Sequence, residues 1–206
     1  MSAAVSLAPT VVPSAVTPPF GDDVLYEVVN GQFVELEKMS ALSGQVASKL
    51  LRKMGDFAED RHLGQVVGDV LFPIPNRRHQ RRPDVAFISY TRWAAERPVP
   101  PTDPWPVVPD LAVEVVSPTD ILDKLLKKVE AYLRAGVREV WVISPIRRMV
   151  FVFPAQGNAR ILTVADHLDG GDILPGFRLP LEPLLPVVPE TEDTDEEAPA
   201  NGTANP

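Results

Sequence analysis

The sequence predicts an α/β (α+β) domain with a central mixed β-sheet flanked by helices, and three observations carry that reading. Two apolar runs flank Asn30-Gly31 in "VLYEVVNGQFVELE", a strong hairpin signal because both turn residues tolerate positive φ. Leu42, Val46, Leu50, Met54 and Phe57 recur at three- and four-residue spacing, the period of an amphipathic helix. From Leu111 to Ile143 the pattern is strand, helix, strand, and a crossover helix implies a locally parallel pair.

Element by element, the hairpin comes first and a helix follows over 40–57. "GQVVGDVLFPI" reads as one strand, "PNRRHQRR" as a loop and "PDVAFIS" as the next strand. The stretch 90–108 is rich in Pro, Trp and Arg without a clear period, so a long loop with room for a short helix is expected, its Trp93 and Trp105 read as core plugs ahead of interface anchors. "DLAVEVVS" is a strand. Ser117, Pro118 and Asp120 then stand as N-cap, first helical residue and capping-box acid of a helix over 120–135, which Gly136 ends as a left-handed cap. "REVWVIS" and "RMVFVF" are strands joined at Pro145, with Arg147 and Arg148 read as solvated turn residues, and "ARILTV" is another strand. "LPGFRLPLEPLL" looks irregular.

Composition bounds the chemistry. The 206 residues include no cysteine, which excludes disulfides, thiolate metal sites and cysteine nucleophiles. No apolar stretch is long enough to cross a bilayer, and the N-terminus lacks the basic start of a signal peptide, so a cytoplasmic protein without a membrane partner is expected. Residues 1–21 carry no charged side chain and residues 187–206 are acidic and proline-rich; both are expected to be disordered, around a domain at 22–186. The net charge of −8 is concentrated at one end. Six of the 28 acids and none of the 20 bases follow Pro186, so the remainder is near neutral, at 20 basic against 22 acidic side chains. Such a balance neither announces a nucleic-acid partner nor excludes one.

Two carboxylates stand where strands should be apolar. Along "LAVEVV", Ala112, Glu114 and Val116 share one face while Leu111, Val113 and Val115 share the other. In "PDVAFIS", Asp84 shares its face with Ala86 and Ile88. A carboxylate buried on such a face must be paired, protonated or bound to a metal. Two of them brought together at one sheet edge would offer hard oxygen ligands for Mg²⁺ or Mn²⁺.

The helix after Glu114 adds a cation. Ile121, Leu122, Leu125, Leu126, Val129, Tyr132 and Leu133 form its apolar stripe, and Lys128 sits just outside one border of that stripe. Of Lys124, Lys127 and Lys128, the last is best placed to reach a strand-borne carboxylate, where it would steady a developing phosphoryl charge or orient a water. Plainer readings compete: Arg81 or Arg82 could satisfy Asp84, Lys128 could form a structural ion pair with Glu114, and "RRHQRR" could be an ordinary solvated loop. Alternatively its Arg77, Arg78, Arg81 and Arg82 hold DNA phosphates. His62, His79 and His167 lack ligand spacing, Ser117 has no nucleophile elbow around it, and no Gly-rich phosphate loop occurs.

Together "RRPDVAFIS", "PDLAVEVVSPTD", "KVEAYLRAGVREVWVISP" and "GGDILPGFRLPL" resemble the Uma-two type of restriction-endonuclease-like proteins, within the PD-(D/E)XK nuclease superfamily. The resemblance runs from Tyr26 to Leu185. It implies a restriction-endonuclease-like core and a Mg-dependent endonuclease that hydrolyses phosphodiester bonds in DNA. It further implies that Asp84 and Glu114 are metal ligands and that Lys128 is catalytic. The superfamily's usual lysine position, two residues after the second acid, is Val116 here, and the resemblance moves the lysine to the helix. Glu27 or Glu35 in the hairpin is a further acid. Two departures accompany the match: relatives often carry a histidine where this chain has Ser43 or Gly44, and "VDP" where it reads "ISP" at Ser144. A homodimer is expected, since cutting a duplex takes two cleavages. The alternative is a catalytically inactive scaffold of the same fold, used for DNA or protein binding or regulation.

Overall fold

The computed structural model describes residues 24–76, 78–117 and 120–187. The segments expected to be disordered lie outside these, apart from Val187, as do Arg77 and Pro118.

The hairpin forms as expected: β1 (Tyr26–Val29) and β2 (Gln32–Glu35) pair antiparallel, with Asn30 at φ 54° and Gly31 at φ 82°. Both turn residues are left-handed, which matches the twist of the flanking strands. Helix α1 (Ala41–Asp60) begins at Ser40, whose side chain accepts the Ser43 N–H, and it buries Val46, Leu50 and Met54.

"GQVVGDVLFPI" is two strands rather than one. β3 (Gly64–Val67) ends at Gly68, Asp69 turns through φ 53°, and β4 (Phe72–Asn76) starts in a different sheet. The expected loop "PNRRHQRR" is a hairpin instead: β4 runs through Asn76, and β5 (His79–Arg81) returns against it. β5 lies between β1 and β4 in that sheet, and its polar side chains carry no hydrophobic alternation that would mark a strand.

β6 (Val85–Ser89), β7 (Leu111–Val115), α2 (Leu122–Ala135), β8 (Glu139–Ser144), β9 (Met149–Pro154) and β10 (Arg160–Thr163) follow. The loop over 90–108 contains no helix, and Trp93 and Trp105 are buried edge-to-face within it. A last pair, β11 (His167–Asp169) and β12 (Arg178–Pro180), places a short strand inside the segment read as irregular.

The main sheet has the order β10-β9-β8-β7-β6-β3, with β7 and β8 parallel and the other neighbours antiparallel. Helix α1 covers one face, through a core that includes Leu50, Phe87, Val113 and Trp141. Helix α2 covers the other, with Val129 and Tyr132 against Ala86, Ala112 and Val142. The small sheet β2-β1-β5-β4 packs beside α2 through β4, bringing β1 close to that helix.

Helix α2 starts later than expected. Its N-cap is Ile121, which makes no side-chain cap bond, while the Asp120 carboxylate accepts the Ser117 N–H at 2.6 Å. Asp120 therefore reaches back in capping-box fashion, but Ser117 is not the N-cap. The apolar stripe also buries less than its pattern implies. Ile121, Leu122 and Leu126 are 55%, 67% and 42% exposed, and of these Ile121 lines a cleft beside the helix. Gly136, at φ 98°, ends the helix as expected.

Candidate active site

The register of β6 and β7 pairs Val85 with Val113. One step further, the same register sets Asp84 opposite Glu114, with both side chains on the α2 face. Asp84 Oδ2 accepts the backbone N–H of Val115 at 2.5 Å, which fixes the carboxylate at the strand end. Neither Arg81 nor Arg82 pairs with it.

Glu114 is 6% exposed, and each of its oxygens has a partner. Lys128 Nζ donates to Oε2 at 2.7 Å and the Tyr132 hydroxyl donates to Oε1 at 2.7 Å. Lys128 and Tyr132 are one helical turn apart, so a single face of α2 delivers both. Lys128 also lies 3.0 Å from Glu27 Oε1. Glu27 in turn accepts from Arg81 at 2.8 Å and from the Arg82 N–H at 3.1 Å. The hairpin, the central strands and α2 thus meet in one charged cluster.

That cluster lines a cleft of about 520 Å³, with Glu27, Asp84, Glu114 and Lys128 inside and exposed Glu35 and Lys124 at its edge. Asp84, Glu114, Lys128 and Glu27 are therefore brought together, and Glu35 reaches only the rim. The arginines divide. Arg82 is buried, committed to Asp103, the Tyr26 carbonyl and the Asp69 carbonyl. Arg81 is spent on Glu27, whereas Arg78 is exposed in the β4–β5 turn. Ser43 is buried and donates to the Val116 carbonyl at 3.2 Å, tying the start of α1 to the end of β7.

The electrostatics separate the acids. Burial raises Asp84, and the Glu114 charge adds to it, so its pKa is pushed up to about 7 despite the Val115 N–H and Lys128. Glu114 is also raised, by burial first, with Lys128 opposing. Burial acts on Glu27 too, but Lys128, Arg81 and the Arg82 N–H outweigh it and hold it below the ordinary range. Burial would lower Lys128; Glu114 and Glu27 overcome that and raise it, so it stays a cation. Tyr132 is raised by burial and by the same two acids. Charge burial alone does not mark this site. Asp110, at the other end of β7, is 3% exposed, but it is paired with Arg92 at 2.9 Å and caps the Ser89 N–H.

Among the described residues no three acidic or histidine side chains form a ready-made metal shell. The donor set nonetheless suits a hard cation that keeps its waters. Mg²⁺ usually takes one or two protein carboxylates plus water and phosphate oxygens. Glu114 uses two of its roughly four lone-pair positions on Lys128 and Tyr132, and no described residue bonds to Asp84 Oδ1. Burial raises Asp84 first and the Glu114 charge second, and a divalent cation between the pair would relieve the second.

Tyr132, expected only in the apolar stripe, also bonds Glu114, and Glu27, one of the two acids expected in the hairpin, is held by Arg81, a pairing that no sequence period encodes. The signal for Glu27 was its place in "LYEVV", a lone acid in an apolar run.

Comparison with known proteins agrees with this architecture. A solved structure from Anabaena variabilis, described as a putative nuclease of DUF820, superposes with a TM-score of 0.65 at 16% identity, covering 78% of this chain and 89% of that one. At that identity the likeness establishes the fold. No functionally curated protein matches the chain. A family model described as "Putative restriction endonuclease" matches residues 15–182. The chain belongs to that family, Uma2.

Proposed function

We propose that this protein is an endonuclease that hydrolyses phosphodiester bonds in DNA with Mg²⁺ or Mn²⁺. The observation that carries the reading is the meeting of Asp84, Glu114 and Lys128 in one open cleft, on a nuclease-like fold. Asp84 and Glu114 would hold the cation. Bound there, it would supply charge neutralisation for the phosphate and a more acidic water.

The chain's own residues divide the remaining work. Glu114 and Glu27 fix the Lys128 ammonium between them and keep it protonated, so it acts as a positioned charge and donor rather than a base. Tyr132 holds the second oxygen of Glu114 and so sets the carboxylate plane. The Val115 N–H does the same for Asp84. Glu35 at the rim is an added acid within reach of an incoming cation, and exposed Arg78 is a candidate phosphate contact. A homodimer would place two such clefts on one duplex.

A scaffold without turnover is the competing reading, favoured by the internal hydrogen bonds on both oxygens of Glu114. Incubation with supercoiled plasmid separates the two. The nuclease reading expects nicking with Mg²⁺ or Mn²⁺ that stops on chelation; binding without nicking in every divalent ion would favour the scaffold.

A further inference from the structure

A second groove of about 510 Å³ lies on the α1 side of the molecule, between Gln45, Lys49 and Arg52 of α1 and Pro183, Leu184 and Pro186 of the closing segment. Its charge is positive. Lys49 is tethered to the Pro183 carbonyl, and neither it nor Arg52 has an acid within ion-pair distance among the described residues. The β8–β9 turn adds to it: Arg148 Nε donates to the Leu185 carbonyl at 3.1 Å, which brings exposed Arg147 to the same region. Exposed Lys53 follows Arg52 on α1, while Asp56 and Glu182 are the neighbouring acids and pair with none of these bases.

The chain leaves the described region at Val187, one residue past the groove lining. Immediately beyond come Glu190, Glu192, Asp193, Asp195, Glu196 and Glu197, with no base through Pro206. Glu190 can stand at most roughly 10 Å from Val187, and Glu197 roughly 35 Å, so the groove is within chain length of all six acids. We infer that the acidic segment 190–197 docks on the basic surface formed by Lys49, Arg52 and Arg147.

The position of that surface gives the docking a consequence. The groove lies on the α1 face of the main sheet, opposite the α2 face that carries Glu114, while Arg147 follows β8 at the end of the sheet where Glu114 stands. Resting on the nuclease reading, the docked acids would neutralise basic side chains that otherwise add to the electrostatic attraction of DNA, and so would weaken DNA binding.

Carbodiimide cross-linking of the full chain tests the docking without reference to nuclease activity. At low ionic strength an amide should form between an acid of 190–197 and Lys49 or Lys53. It should be lost in ~1 M salt, where the Debye length is about 3 Å. It should also be lost in the Arg52→Glu/Arg147→Glu variant. No cross-link, or equal cross-linking to Lys38, Lys124 and Lys127, overturns the docking. Replacing the six acids by their amides should then tighten binding of a short duplex by about tenfold at low salt, a gain that shrinks as salt rises. Unchanged duplex affinity in a protein that does cross-link overturns the competition with DNA and leaves the docking standing.

Discussion

Lys128 Nζ donates to Glu114 Oε2 across 2.7 Å, joining α2 to the middle strand of the main sheet. The same ammonium serves Glu27 at 3.0 Å, so one cation compensates two buried carboxylates. Removing it leaves uncompensated buried charge. Lys128→Met, which keeps most of the side-chain volume, should cost about 3–5 kcal/mol of stability at pH 8. The loss should shrink by pH 5, because a raised carboxyl pKa lets the orphaned acid take up a proton. Urea unfolding at the two pH values measures both the size and the sign.

Asp84→Asn should stabilise the metal-free protein near neutral pH. Its folded pKa of about 7 lies above the ordinary carboxylate value, so between about pH 4 and pH 7 the folded state holds a proton that the unfolded chain releases. This group's contribution therefore falls as pH rises through that window, by up to about 4 kcal/mol. Asparagine can still accept the Val115 N–H but carries no charge to repel Glu114. Thermal melts of both proteins from pH 4 to pH 8 should show the variant gaining on the wild type as pH rises.

Much of this cluster is visible in the chain because strands and helices impose strict periods. Lone acids in "PDVAFIS" and "LAVEVV" violate a period of two, and Lys128 borders a helical stripe, so all three stand out without any contact map. Glu27 also violates its strand pattern, but its link to Lys128 depends on how the small sheet packs beside α2, which no local period encodes. The β4–β5 hairpin is not legible because His79, Gln80 and Arg81 form an inner strand of the small sheet without apolar alternation. From the sequence Arg81 and Arg82 read as solvated loop residues, partners of Asp84 or phosphate contacts; the structure spends Arg81 on Glu27 and Arg82 on Asp103 and two carbonyls.

Tyr132→Phe removes one hydrogen bond to a charged, buried oxygen and nothing else in volume. It should cost about 1.5–3 kcal/mol. If the Glu114 plane matters for the reaction, turnover should fall while DNA affinity holds. Urea unfolding and separate measurements of kcat and KM check the two halves of this expectation.

Mg²⁺ should raise the melting temperature of the wild type if Asp84 and Glu114 hold it. At a hundred times its dissociation constant the ion would add about 2.7 kcal/mol. Asp84→Asn should abolish most of that gain while melting cooperatively by itself. Equal Mg²⁺ stabilisation of both proteins would place the ion elsewhere.

The central claim is that Glu114 serves chemistry as well as the ion pair with Lys128. Glu114→Gln keeps the shape and an oxygen to accept from Lys128 or Tyr132, so the fold should survive, as circular dichroism and a urea melt would verify. The decisive measurement is the initial rate of plasmid nicking in Mg²⁺ and in Mn²⁺ by that folded variant beside the wild type. The account predicts metal-dependent nicking by the wild type and loss of it in Glu114→Gln. Nicking that continues at the wild-type rate in the variant would contradict it.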